Sequence, residues 1–140
     1  MNKDSRDQVF DVAYALREDF GESMKIDIWY DGNVWVFRPF GRLDAGNAVD
    51  LDAVLIEGTD QGMRLIVIDL TDAPYIASSG IRAIIKAAKA VRGDGGEVTV
   101  CGMNDQVREV FRLSGLFKLF REFPTSVEAI SYLQKREKSD

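Results

Sequence analysis

Ser78 and Ser79 sit side by side in the stretch Ala77-Ser78-Ser79-Gly80-Ile81. A serine hydroxyl does chemistry when a base activates it or when an outside enzyme modifies it. The chain has no histidine, which excludes triads built on imidazole and the common zinc and iron sites. Cys101 is the lone cysteine, so no internal disulfide, redox pair or thiolate metal pair forms. No paired carboxylates mark a cleft at the strand ends, and no residue group asks for a cofactor or a metal. Catalytic residues are therefore not expected. The question the pair poses is whether they cap a helix or do chemistry.

The surrounding elements favour a helix entrance. Leu65 to Leu70 is a nearly continuous apolar strand, a linker with Pro74 follows, and a helix is expected over Ser79 to Arg92. Ile81, Ile84, Ile85, Ala88 and Val91 give it a core-facing side. Its polar side carries Arg82, Lys86 and Lys89 and no acid of its own. A cation in the first helical turn opposes the helix dipole, so Arg82 is not there to help the helix form. The basic stripe is either a solvated face or a docking face for an acidic partner, and Arg82, four residues after Ser78, can meet a phosphate at the entrance.

Before that helix, Ser5 to Phe20 has capping-box spacing at Ser5 and Gln8 and an apolar stripe at Val9, Val12, Ala13, Leu16 and Phe20. This segment, an extension over 1–22, packs on its own domain, on a second copy in a homodimer, or on a partner. Met24 to Tyr30 and Val34 to Phe40 read as strands joined by Asp31-Gly32-Asn33, an antiparallel hairpin. Trp29 and Trp35 read as sheet-face aromatics.

Gly41 to Asn47 then leads into a helix over Ala48 to Glu57, with Leu51, Val54 and Leu55 inward and Asp50 and Glu57 outward. Asp44 or Asn47 is placed to cap it. Gly58 to Gly62 reads as a loop, Gly93 to Gly96 as a turn and Glu97 to Cys101 as a strand, with Cys101 a buried small hydrophobe. Asn104 opens another helix, with Val107, Val110 and Phe111 inward and Gly115 as its left-handed stop. Leu119 to Phe123 is a short strand or connector. Thr125 and Glu128 form a capping box for a last helix with Val127, Ile130 and Leu133 as core, and a charged tail frays from Lys135.

A hairpin followed by strand-helix repeats implies an α/β fold with a mixed, largely parallel sheet and right-handed crossovers. Binding sites in such folds lie beyond the carboxyl ends of the strands, where the linker to Ser78 runs. The 140 residues suffice for one domain, with 23–135 as its body and 136–140 as tail. A net charge of -5 argues against nonspecific nucleic-acid binding. The polar start and the lack of long apolar runs predict a cytoplasmic protein without membrane insertion.

These motifs in this order resemble the STAS domain: Gly41-Arg42-Leu43-Asp44-Ala45 after a hairpin, Leu65 to Leu70 followed by Tyr75 to Ile81, and Thr99 to Gly102 with Val107 to Phe111. The resemblance runs from about Met24 to Leu133 and is greatest to the stand-alone anti-sigma-factor antagonists of bacteria. It implies a four- to five-stranded mixed sheet with helices packed on it. It also implies partner switching: the unmodified protein binds an anti-sigma factor, and that partner, a serine kinase, releases itself by phosphorylating a serine at the helix entrance. A serine/threonine phosphatase reverses the mark. The matching acceptor is Ser78, with Ser79 second choice, and the docking residues expected around it are Asp44, Ser79, Gly80, Ile81, Arg82, Lys86 and Lys89. Ala77 stands where the family commonly has Asp. The alternative within the fold is a non-phosphorylated adaptor or subunit of a transporter or signalling complex, in which the serines only cap.

Overall fold

The computed structural model describes residues 24–139; the helix expected over Ser5 to Phe20 lies outside them. Strands β1 (Lys25–Asp31), β2 (Val34–Phe40), β3 (Leu65–Asp69), β4 (Glu97–Cys101) and β5 (Glu122–Phe123) form a mixed sheet in that spatial order. Helices α1 (Ala48–Asp60), α2 (Ser78–Arg92), α3 (Asp105–Leu113) and α4 (Ser126–Ser139) pack around it, and a 3-10 turn at Leu116–Lys118 precedes β5. β1 and β2 pair antiparallel with Asp31 opposite Val34, and Gly32 takes the positive φ of 65° that the tight turn requires. The remaining pairings are parallel, Trp35 against Ile66 and Ile66 against Val98 among them.

All five residues of β3 are buried. Alternation explains why: Ile66 and Ile68 belong to the core that includes Leu51, Leu55 and Ile84 of α1 and α2, while Leu65 and Val67 face Ile130 and Leu133 of α4. A strand with helices on both faces has no side left for polar residues. Only Asp69, at its carboxyl end, is charged, and its Oδ1 accepts from Thr71 N–H at 3.0 Å.

α1 runs three residues past the expected end. Gly58 is helical and buried, and a Cβ there would come within 2.6 Å of Met63 Sδ and 3.2 Å of Phe37 Cζ. The glycine is thus a site of close packing on the sheet, bought at the roughly 1 kcal/mol that Gly costs inside a helix, and not a break. Asp50 does not simply face out: its Oδ2 accepts Met24 N–H at 2.9 Å.

The buried side of α2 is turned toward the alanines. Ala83 and Ala87 are buried alongside Ile84, Ala88 and Val91, while Ile81 and Ile85 are only half-buried. Small residues let α2 approach its neighbours closely, and a stripe drawn through the large residues misses them. A comparable correction applies to Val127, expected in the core but 73% exposed. It is the second residue of α4, and the apolar face is instead Ala129, Ile130 and Leu133. Val110 is half-buried.

Helix ends follow the sequence more closely. Asn104 caps α3, its Oδ1 accepting Val107 N–H at 2.8 Å, and Gly115 follows with φ 71°. Thr125 Oγ1 accepts Glu128 N–H at 3.4 Å and donates to Glu128 Oε1 at 3.1 Å. α4 continues through the expected tail to Ser139, because Gln134 donates to the Asp31 carbonyl at 3.1 Å and Arg136 pairs with Glu97 at 3.0 Å.

Candidate partner-docking site at the α2 entrance

Two loops meet in front of α2. Leu43 N–H donates to the Tyr75 carbonyl at 2.9 Å, Ala77 N–H donates to the Leu43 carbonyl at 2.8 Å, and Leu43 and Ile76 form a parallel bridge. The β2–α1 loop and the β3–α2 linker thereby become one ledge beyond the carboxyl ends of the parallel strands. Gly80 makes this possible, since a Cβ there would come within 2.9 Å of Ile76 Cγ1. Arg42 stacks its guanidinium 4.2 Å above the half-exposed Tyr75 ring on the same ledge.

α2 begins one residue earlier than expected, and the cap position belongs to Ala77. The Ala77 carbonyl accepts both Gly80 N–H and Ile81 N–H at 3.0 and 3.1 Å. Ser78 is the first helical residue and is exposed; its side chain makes no hydrogen bond among the described residues. Ser79 differs sharply. Its Oγ is buried and has no hydrogen-bond partner. Neither serine caps the helix, so the structural role that competes with phosphorylation is not filled by either. Placement alone separates them, with Ser78 open to an enzyme and Ser79 closed.

Asp44 and Asn47 do not cap α1 through its second or third N–H group. They bracket the turn instead: Asp44 Oδ1 accepts Asn47 N–H, and Asn47 Oδ1 accepts Asp44 N–H, both at 3.0 Å. Asp44 is exposed, and the two bonds to Asn47 fix its place in the turn.

Of the expected docking residues, Ser79, Arg82, Lys86 and Lys89 line one groove of about 560 Å³ between α1 and α2, with Val49 and Asp52 of α1 opposite. Asp52 went unrecognised in the sequence as a partner of this stripe. Lys86 Nζ lies 3.0 Å from its carboxylate, so one of the three cations is paired across the groove. Arg82 and Lys89 form no ion pair among the described residues. Val49, 62% exposed, is a second contributor that sequence reasoning passed over. Gly80 is buried and Ile81 half-buried, so both support the ledge from beneath.

Away from the groove, Cys101 is buried at the end of β4. Burial pushes its thiol up, and the neighbouring Asp69 carboxylate adds to the effect, so it stays protonated and inert. Among the described residues no group of three or more His, Cys, Asp or Glu is placed to hold a metal, and no helix is long and apolar enough to cross a membrane.

The family model of the STAS domain matches residues 25–129. Over 80 residues, 57% of this chain and 69% of the other, the sequence is 39% identical to BtrV of Bordetella bronchiseptica, which is assigned by name to the anti-sigma factor antagonists. It is 27% identical over 114 residues to an anti-sigma F factor antagonist of Paenibacillus polymyxa, covering 80% of this chain and 97% of that one. Among solved structures, the anti-sigma factor antagonist SpoIIAA in its unphosphorylated form shares the fold with a TM-score of 0.70 at 22% identity, over 79% of this chain and 97% of that one. Its phosphorylated form from Bacillus gives a TM-score of 0.62 at 22% identity, over 79% and 98%.

Proposed function

The chain belongs to the STAS domain family, and on that premise we propose that it is an anti-sigma factor antagonist that works by partner switching, with Ser78 as its phosphoacceptor. In this reading the unmodified protein binds an anti-sigma factor that is also a serine kinase, phosphorylation of Ser78 releases it, and a serine/threonine phosphatase restores it. The activity is binding, not catalysis. The observation that carries the assignment of the acceptor is the contrast between the two serines: Ser78 is exposed at the first position of α2, while the Ser79 hydroxyl is enclosed.

The physics of the entrance supports a switch that leaves the fold intact. A phosphoserine carries about -1.5 to -2 charges near neutral pH. At the first turn of a helix the unpaired N–H groups and the dipole favour that charge, and Arg82 stands one turn further on. The phosphate therefore changes the surface presented to a partner without melting α2. Asp44, held on the adjoining loop, supplies a carboxylate to the ledge where Ala77 supplies none.

Incubation with ATP and the cognate kinase should give a single phosphate mapped to Ser78. Ser78→Asp should weaken anti-sigma factor binding at least about tenfold, a difference of roughly 1.4 kcal/mol, with an unchanged circular dichroism spectrum. If Ser78→Ala and Ser78→Asp both bind the partner like the unmodified protein, the switch is refuted and a constitutive adaptor takes its place.

A further inference from the structure

We propose that this chain forms a homodimer through the outer face of α1 and α2, about a two-fold axis that runs along the groove between them and lays α1 of each copy over α2 of the other. The inference goes beyond partner switching and does not depend on which serine is phosphorylated, or on whether one is.

The face carries two helices of opposite sign. The stretch 48–60 that forms α1 contains Asp50, Asp52, Glu57 and Asp60 and no Lys or Arg, while the stretch 78–92 that forms α2 contains Arg82, Lys86, Lys89 and Arg92 and no acid. The helices run in the same direction: Ala48 and Ser79 line one end of the groove, Asp52 meets Lys86 further along, and Asp60 and Ala90 lie together at the far end. On α1, Val49, Ala53, Ile56 and Asp60 fall within about 60° of one another, and on α2 so do Arg82, Lys86 and Lys89. Val49 and Ile56 are 62% and 41% exposed, so large apolar side chains stand in water beside three cations. Glu57 and Arg92 are exposed on the outer flanks, each about 140° around its helix from a residue that lines the groove, Asp52 on α1 and Ala87 on α2.

A surface with both signs side by side selects its own symmetry. Two copies, each presenting a pair of parallel helices, can stack in register in two ways. An axis across the helices sets α1 on α1 and α2 on α2, like charge on like. An axis along the groove sets α1 on α2 twice, and only this arrangement is attractive. Rotation about the groove axis keeps every residue at its own height. Asp60 of a second copy then lies at the height of Ala90, with Glu57 about one turn before it, and both come within a side chain's reach of Lys89 and Arg92. Val49 and Ile56 of the second copy cover the aliphatic stems of Arg82 and Lys86. Around the axis itself, Asp52 and Lys86 of the two copies alternate in sign, which extends the ion pair within each chain to a ring of four charges.

Size sets the strength. With 13 residues, α1 is about 20 Å long, and two helices about 10 Å apart make a face about 20 Å wide. That is small by the standard of permanent dimers, so the dimer exchanges with monomer. It covers Arg82 and Lys89, and self-association therefore excludes a partner that docks on those cations.

Sedimentation of the full chain from about 1 µM to about 1 mM tests this. A monomer–dimer equilibrium that weakens as salt rises is expected. Glu57→Lys with Asp60→Lys sets cations over Lys89 and Arg92, and Lys89→Glu with Arg92→Glu sets acids over Glu57 and Asp60. Each double variant should weaken self-association at least about tenfold. An equimolar mixture of the two should regain it, because both contacts are then opposite in sign, and that recovery shows that neither variant failed by misfolding. A chain that stays monomeric throughout overturns the proposal and leaves the face to a foreign partner. A dimer that both variants keep unchanged also overturns it, since another surface then holds the copies together. So does a mixture that associates no better than its components.

Discussion

Ser79 is the residue at which a structural and a chemical role are most easily confused. Its Oγ has lost water and gained no partner, and a buried unsatisfied hydroxyl costs roughly 1–3 kcal/mol. Ser79→Ala should therefore leave stability unchanged or raise it by up to about 1 kcal/mol in urea unfolding, and should leave phosphate incorporation intact. Ser78→Ala should abolish incorporation. If the two variants exchange these outcomes, the acceptor is Ser79 and the entrance must open to expose it. Gly80 answers a different question. Its missing Cβ lets α2 approach Ile76 and Leu43, so Gly80→Ala should destabilise by about 1–3 kcal/mol through overpacking, despite the better helix propensity of alanine. A melting temperature equal to that of the unsubstituted chain would show that the ledge yields at no cost.

Elements carry the docking electrostatics. Lys86 is engaged with Asp52 across the groove, so it offers a partner less than Arg82 and Lys89, which form no ion pair among the described residues. Arg82→Glu together with Lys89→Glu should slow association with the anti-sigma factor by several-fold, more at low salt than at high. Lys86→Met should change stability by no more than about 1 kcal/mol, as exposed pairs do, and should change association less than the double reversal does. Stopped-flow rates across an ionic-strength series read both. This division was not legible in the sequence, because Asp52 and Lys86 lie 34 residues apart and meet only once α1 and α2 are packed together. What was legible was local: the turn at Gly32, the cap at Asn104 and the left-handed Gly115 each follow from one or two residue types. On α2 the expected Ile84, Ala88 and Val91 are buried and Ile81 and Ile85 pack against the core, while the burial of Ala83 and Ala87 is not legible because apolar periodicity weighs isoleucine above alanine. The loop expected over Gly58 to Gly62 begins later than the sequence suggests, because a glycine's absent Cβ looks the same in sequence whether it opens a loop or lets a helix pack.

At the scale of the whole molecule, a sheet covered on both faces buries groups whose titration is linked to folding. Burial raises the Cys101 thiol with Asp69 adding to it, and burial together with Glu97 raises the Tyr132 phenol. Both groups are neutral when protonated, so the folded state holds these protons to higher pH than the unfolded chain does. Above the ordinary cysteine value of about 8.5 the unfolded state binds fewer protons than the native one, and stability falls as pH rises. The contribution is intact below that pH and is lost progressively above it, at up to about 1.4 kcal/mol per pH unit for each such group. From pH 8.5 to 10.5 the stability from urea unfolding should drop by about 2 kcal/mol through Cys101 alone. Cys101→Ala should start lower, since it empties part of a packed site, but its stability should decline less steeply over the same range, with the Tyr132 part retained. Parallel declines in the two proteins would mean that the thiol ionises in the native state as readily as in the unfolded one. The Cys101 site would then have to be wet, which its complete burial beneath α4 does not allow.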